Sequence, residues 1–166
     1  MTMDQSVAPR RSPAGALADL TQAAFGLVPM SLTMLALRFA LAIPFWRSGM
    51  TKWDGFLTLS FGAKALFTDE YKLHIFGSEI AYPAPELVAT LSALAETCLP
   101  VLLVLGLGTR YAALALLFMT GIIQLTIPDG WVNFHLPWAS MALALMTFGP
   151  GRIALDRLLG IDRLRD

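Results

Sequence analysis

Four apolar stretches, each close to the length of a bilayer span, constrain this chain more than any other feature. They run from about Leu27 to Trp46, Glu86 to Leu107, Tyr111 to Ile127 and Trp131 to Phe148. Crossing a hydrocarbon core of roughly 30 Å takes about 20 helical residues. The last two stretches are short for a span, but Tyr111, Trp131 and Trp138 lie near their ends, where interfacial aromatic residues anchor a helix. A soluble bundle would need a polar stripe on every helix, and stretches two to four show no continuous one. Charged residues make up only 14% of the chain, against about 25% in soluble domains. The surface that lacks charge is expected to face lipid. The expected fold is therefore all-α: an integral membrane four-helix bundle over residues 26–158, with cytoplasmic tails at 1–25 and 159–166.

The tail before the first span contains Pro, Ala and Ser with Arg10 and Arg11, and a short surface helix is expected from Ala14 to Phe25. Asp19 and the lack of a small-residue cleavage site argue against reading Arg10-Arg11 as an export signal. A basic anchor on the cytoplasmic side fits better. The connection from Arg47 to Pro85 is too polar to cross a membrane. Its middle, Phe56 to Phe67, mixes large apolar residues with Ser60 and Lys64, as a helix lying at the interface or covering the bundle mouth would. Tyr82-Pro83-Ala84-Pro85 then breaks the chain before the second span.

Orientation follows from the basic residues. With the N-terminus inside, Arg10, Arg11, Arg110, Arg152, Arg157, Arg163 and Arg165 are cytoplasmic, and Arg47, Lys52, Lys64 and Lys72 are outside. The excess places both termini in the cytoplasm of a bacterial inner membrane. The net charge is zero, so the overall balance gives no reason to expect nucleic acid as a partner.

Polar residues inside the spans carry the functional question. Arg38 sits within the first span and Glu96 within the second. A charge at the bilayer centre costs at least about 2.5–3.5 kcal/mol and must find a partner. Antiparallel helices are expected to bring Arg38 and Glu96 to one depth as an ion pair, either a catalytic or proton-handling site or a structural pair that sets helix register. At 100° per residue, Phe45, Gly49 and Lys52 share the face of Arg38, and Ala89, Ser92 and Leu103 share that of Glu96. Cys98 projects about 200° from Glu96 and is expected to be a dispensable packing residue. Lys52, Gln124, His135 and Trp131 are expected near the outer mouth, and with Ser92 they form the candidate substrate-binding set. Ala36 with Ala40, and Ala89 with Ala93, offer close helix contacts. Two histidines and one cysteine show no ligand spacing, so no metal site is expected. A lone cysteine also rules out an internal disulfide or dithiol pair.

Taken in order, Arg38, the run Phe45-Trp46-Arg47-Ser48-Gly49-Met50-Thr51-Lys52, Glu96, Leu105-Gly106-Leu107-Gly108-Thr109-Arg110, His135, and Gly149-Pro150-Gly151 followed by Asp156 resemble the DoxX family of small four-span membrane proteins. The resemblance extends over about residues 30–158. It implies a membrane location and, more loosely, redox work. The wider DoxX/DoxD-like group includes the small subunit of thiosulfate:quinone oxidoreductase, a mycobacterial partner in a membrane-associated oxidoreductase complex, and the MauE type involved in disulfide formation. This sequence lacks the cysteine pair of the last. No Rossmann fingerprint, haem-attachment motif or iron–sulfur spacing occurs. Intrinsic cofactors are therefore not expected, and redox chemistry would draw on a lipid-dissolved quinone or on a soluble or membrane redox partner. Two other classes stay open: a small-solute or proton transporter, and a non-catalytic anchor or assembly factor. A homo-oligomer is compatible with each.

Overall fold

The computed structural model describes residues 12–162, in two compact units divided after Met30. Arg10, Arg11, Arg163 and Arg165, which set part of the expected orientation, lie outside the described residues. In the first unit, helix α1 spans Pro13–Gly26. The Ser12 hydroxyl caps it by accepting from the Gly15 amide at 3.1 Å, and proline occupies the first turn, where its missing N–H costs nothing. A helix is thus present over the range Ala14–Phe25 where one was expected.

Four longer helices organise the second unit: α2 (Met30–Met50), α4 (Pro85–Leu105), α5 (Thr109–Thr126) and α6 (Leu136–Phe148). A π-helical turn, Trp131–His135, leads directly into α6. One apolar core draws on all four, with Met34, Leu41 and Phe45 from α2, Leu103 from α4, Leu116 from α5 and Leu145 from α6. Ala112, Ala113 and Ala142 fill the seams between them. Ala89 and Ala93 are fully buried as expected, whereas Ala36 and Ala40 are exposed.

Helices α4 and α5 are each long and apolar enough to cross a membrane, and only 28% of either window is buried inside the protein. The remaining apolar surface must be solvated by something other than water, which is the signature of a lipid-facing helix. Helix α2 qualifies as a third span when counted together with Leu17–Gly26. As a regular α-helix, α6 has 13 residues, too few to cross by itself.

The long connection departs from expectation. It is not purely helical, so the fold is not strictly all-α. It holds two antiparallel hairpins, β1–β2 (Trp53–Gly55 with Thr58–Leu59) and β3–β4 (Lys72–Ile75 with Ser78–Ala81). Between them α3 (Phe61–Ala65) runs into a π-helical turn, Leu66–Glu70. The interfacial helix expected at Phe56–Phe67 therefore starts five residues later. Ser60 stops the chain from entering the helix earlier, because its hydroxyl caps α3 by accepting from the Ala63 amide at 3.1 Å. The second hairpin has a sequence signal that the helical reading overlooked. Lys72-Leu73-His74-Ile75 alternates polar and apolar residues and is followed by Phe76-Gly77, a two-residue turn with Ile75 opposite Ser78.

Candidate functional site

The ends of the helices divide the polar residues into two groups. The C-terminal ends of α2 and α5, the N-terminal end of α4 and the hairpins share one end of this unit, here the loop end. The N-terminal end of α2, the α4–α5 turn and the last described residues share the other.

At the loop end, α2 and α4 approach closely because residue 49 is glycine. A Cβ there would lie 2.9 Å from the backbone C and O of Glu96. Pro100 lies one turn further along α4 and has no N–H to give to the Glu96 carbonyl. The contact fixes the stagger of the two helices, so that Glu96 meets the end of α2. Just beyond that end, the Lys52 ammonium reaches Glu96 Oε2 at 2.5 Å and the Ser48 hydroxyl at 2.9 Å. The Ser92 hydroxyl donates to Glu96 Oε1 at 3.1 Å. The two charged side chains are only 10% and 5% exposed. Charge-assisted hydrogen bonds therefore offset the cost of removing two ions from water. The Trp53 indole donates to the Thr97 hydroxyl at 3.1 Å, fastening the first hairpin to α4 beside the pair.

An aromatic cluster from the loop stands near the pair. Phe67 packs edge-on against Tyr71, at 5.2 Å between centroids, and against Tyr82 at 5.7 Å. Burial pushes the Tyr71 phenol above its ordinary value, and the negative charges of Glu96 and Glu70, with Tyr82, push it further the same way. Tyr82 hydrogen-bonds Thr126 at 2.6 Å, tying the second hairpin to the end of α5.

Gln124 and His135 form a separate pair at the same end. The Gln124 amide donates to the Pro128 carbonyl at 3.0 Å, which turns its oxygen toward His135 Nδ1 at 2.6 Å. That orientation places a proton on Nδ1. Gly130 lies against the other side of the ring, where a Cβ would come within 2.5 Å of Cε1. His135 stacks on Trp138 at 5.5 Å, and Trp138 on Phe45 of α2 at 5.0 Å. The described contacts join this pair to the α2 face by ring packing, with no hydrogen bond to Glu96 or Lys52. Trp131, at the start of the π-helical turn, is exposed.

Arg38 does not pair with Glu96, contrary to the expectation from sequence. Arg38 and Gly49 are eleven residues apart on α2, about 16 Å at 1.5 Å per residue. The fully buried guanidinium instead lies under the C-terminus of α4, donating to the carbonyls of Leu103 and Val104 at 3.4 Å and to that of Ile153. A cation there answers the unpaired carbonyls and the negative end of the helix dipole. Gly106 is required beside it: at φ +69° it is left-handed, and a Cβ would fall 2.2 Å from Arg38 Nη1.

Asp156, also buried, returns the chain to the same turn. Its carboxylate accepts from the Gly108 amide at 2.6 Å and the Thr109 amide at 2.8 Å, capping α5. Arg110 completes this end by capping α6 through the Met146 and Thr147 carbonyls and by pairing with Asp162 at 3.2 Å.

The structure thus brings together Lys52, Glu96 and Ser92, and separately Gln124 and His135, and it sets Arg38 apart from both. Sequence reasoning missed Ser48 and Tyr71. Ser48, one helical turn before Lys52, was recoverable from spacing; Tyr71 was not, since its place depends on the path of the loop. Cys98 is exposed, which agrees with its projection away from the buried Glu96 but not with the packing role expected of it. Among the described residues no group of three or more His, Cys, Asp or Glu side chains is arranged to hold a metal ion.

A family model described as DoxX matches residues 33–129, which takes in most of α2, the hairpins, α4 and α5. His135 and the Gly149–Asp156 segment, part of the resemblance read from sequence, fall outside the matched range. No curated protein and no solved structure matches the chain.

Proposed function

Since the chain belongs to the DoxX family, we propose that it is the membrane-embedded subunit of a redox system and that the Lys52–Glu96 pair is its working group. The observation that carries this reading is a carboxylate and an ammonium 2.5 Å apart, nearly withdrawn from solvent, where the helices meet the loop. Buried charge between apolar helices is costly, and in membrane proteins it marks substrate and proton pathways. Glu96 Oε2 accepts from the Lys52 ammonium, and the Ser92 hydroxyl donates to Oε1 and so orients the carboxylate. Both serine hydroxyls keep a lone pair or proton free for a third partner.

A quinone, when bound, would supply two-electron chemistry coupled to two protons. The residues fit such a molecule. Lys52 and Ser48 supply donors for a carbonyl oxygen, and one turn further an almost wholly apolar groove of about 310 Å³ opens between α2 and α4. Phe39, Ile43, Trp46, Pro100 and Val101 line it and suit a hydrocarbon tail. A small anionic sulfur compound would use Lys52 and leave the groove to lipid. Electrons would pass to or from a redox partner, since the chain carries no haem or iron–sulfur motif. The wider proposal is four spans, with α6 and its leading π-helical turn as the fourth, both termini in the cytoplasm of a bacterial inner membrane, and the pair opening to the periplasm.

Tryptophan fluorescence of the purified protein in nanodiscs, titrated with a short-chain ubiquinone, tests the reading. Saturable quenching is expected from Trp46 beside the groove, with an affinity at least tenfold weaker in Glu96→Gln or Lys52→Met. Linear quenching equal to that of a tryptophan peptide in the same nanodiscs would rule out quinone binding. Thiosulfate displacing nothing and shifting no melting temperature would rule out the sulfur compound.

A further inference from the structure

We propose that the tips of the two hairpins, Phe56-Leu57 and Phe76, insert into the headgroup layer of the bilayer at the loop end and hold the loop down over the Lys52–Glu96 site. The side chains there are bare. Phe56 is 95% exposed, Phe76 is 103% exposed and Leu57 is 60% exposed. Phe61, at the start of α3, adds a fourth apolar side chain at 84%.

The backbone at both tips is costly as well. Each hairpin closes with a two-residue turn, Gly55 to Thr58 and Ile75 to Ser78. Leu57 adopts φ +54° and Phe76 φ +49°. Positive φ in such turns ordinarily selects glycine, asparagine or aspartate, because a bulky side chain is strained there. In water, each tip would combine strain with an exposed apolar side chain. Transfer of that side chain out of water offsets both.

Position and chemistry select lipid rather than protein as the occupant. The first hairpin begins three residues after α2 ends at Met50, and the second is tied to the end of α5. Trp53 at the base of the first bonds Thr97 midway along α4, while in the second His74 Nδ1 contacts the Leu125 carbonyl at 3.1 Å and Tyr82 bonds Thr126. The tips therefore lie within a few residues of where the helices leave the hydrocarbon. They carry no charge and no side-chain hydrogen-bonding group among Phe56, Leu57, Phe76 and Gly77. Isolated aromatic side chains at the membrane–water boundary are what the headgroup layer accepts.

The test places a single cysteine at 56, 76 or 79 in a Cys98→Ala background, labels it with a nitroxide, and reconstitutes the full chain in phosphatidylcholine nanodiscs. Collision of the label with oxygen, which concentrates in lipid, is compared with collision with a water-soluble nickel chelate. Labels at 56 and 76 are expected to favour oxygen several-fold more than the label at Glu79, on the polar strand behind the tip. Ready access of nickel to 56 and 76 would overturn the proposal. So would shielding of both positions from both reagents, which would instead mark contact with a second copy or another protein. All three positions are exposed, so the substitutions leave the packed core untouched.

Discussion

Removing one partner of the Lys52–Glu96 pair leaves the other charge buried and uncompensated. In Glu96→Leu the Lys52 ammonium keeps the Ser48 hydroxyl but loses its carboxylate, in a site where the lysine side chain is 10% exposed. Breaking a buried pair in this way costs about 3–5 kcal/mol. Lys52→Met should cost about as much, because Glu96 then retains only the Ser92 hydroxyl. In the double variant no unpaired charge remains and two apolar side chains of similar length meet, so much of the loss should return. The coupling energy should be about 2–4 kcal/mol and favourable. For a chain of this size that corresponds to roughly 4–16 °C in melting temperature. Thermal unfolding in one detergent, followed by tryptophan fluorescence on all four members of the cycle, measures it. A second cycle, Arg38→Met with Glu96→Leu, is the control. Arg38 shares no partner with Glu96, so these two changes should add. Coupling near zero in the first cycle, or substantial coupling in the second, would refute the pairing and restore the partnership expected from sequence.

Gly106→Ala should be among the most damaging single changes. The new methyl would sit 2.2 Å from Arg38 Nη1 and 2.6 Å from Ala154 Cβ at a left-handed backbone position, for a loss of about 3 kcal/mol or more by strain and overpacking combined. Its melting temperature against that of Gly62→Ala, where no heavy atom lies within 4 Å, checks this. Tyr71 should titrate above 10 by ultraviolet absorbance at alkaline pH. Its folded pKa is raised, so the folded state keeps a proton that the unfolded state gives up. Its contribution is therefore complete below pH 10 and is lost as pH rises through the folded value; a titration at the ordinary value would contradict the burial. Cys98→Ala should leave melting temperature and quinone quenching unchanged, and native Cys98 should react with maleimide in detergent; loss of either property with intact folding would reinstate thiol chemistry.

The helical faces were legible because side-chain direction repeats every 3.6 residues wherever the backbone is helical. Arg38, Phe45, Gly49 and Lys52 were placed on one face and all are buried, as are Ala89, Glu96 and Leu103, and Ser92 bonds Glu96 as their shared face required. Membrane character was equally legible, since it depends on the length and apolarity of each stretch and not on its neighbours. The axial register of α2 against α4 was not. It rests on how closely Gly49 approaches the Glu96 backbone, a contact between two segments that no periodicity within either can report. Counting both charges as mid-span therefore paired Glu96 with Arg38 instead of Lys52. The true partners of Arg38 are main-chain carbonyls at the end of another helix, and every residue type carries that group, so no side-chain pattern announces it. By itself, then, the sequence determined the inward faces on which Arg38 and Glu96 lie and that the chain faces lipid, because both are properties of single helices. Which buried charge meets which partner was decided only by tertiary packing, through the stagger that one glycine permits.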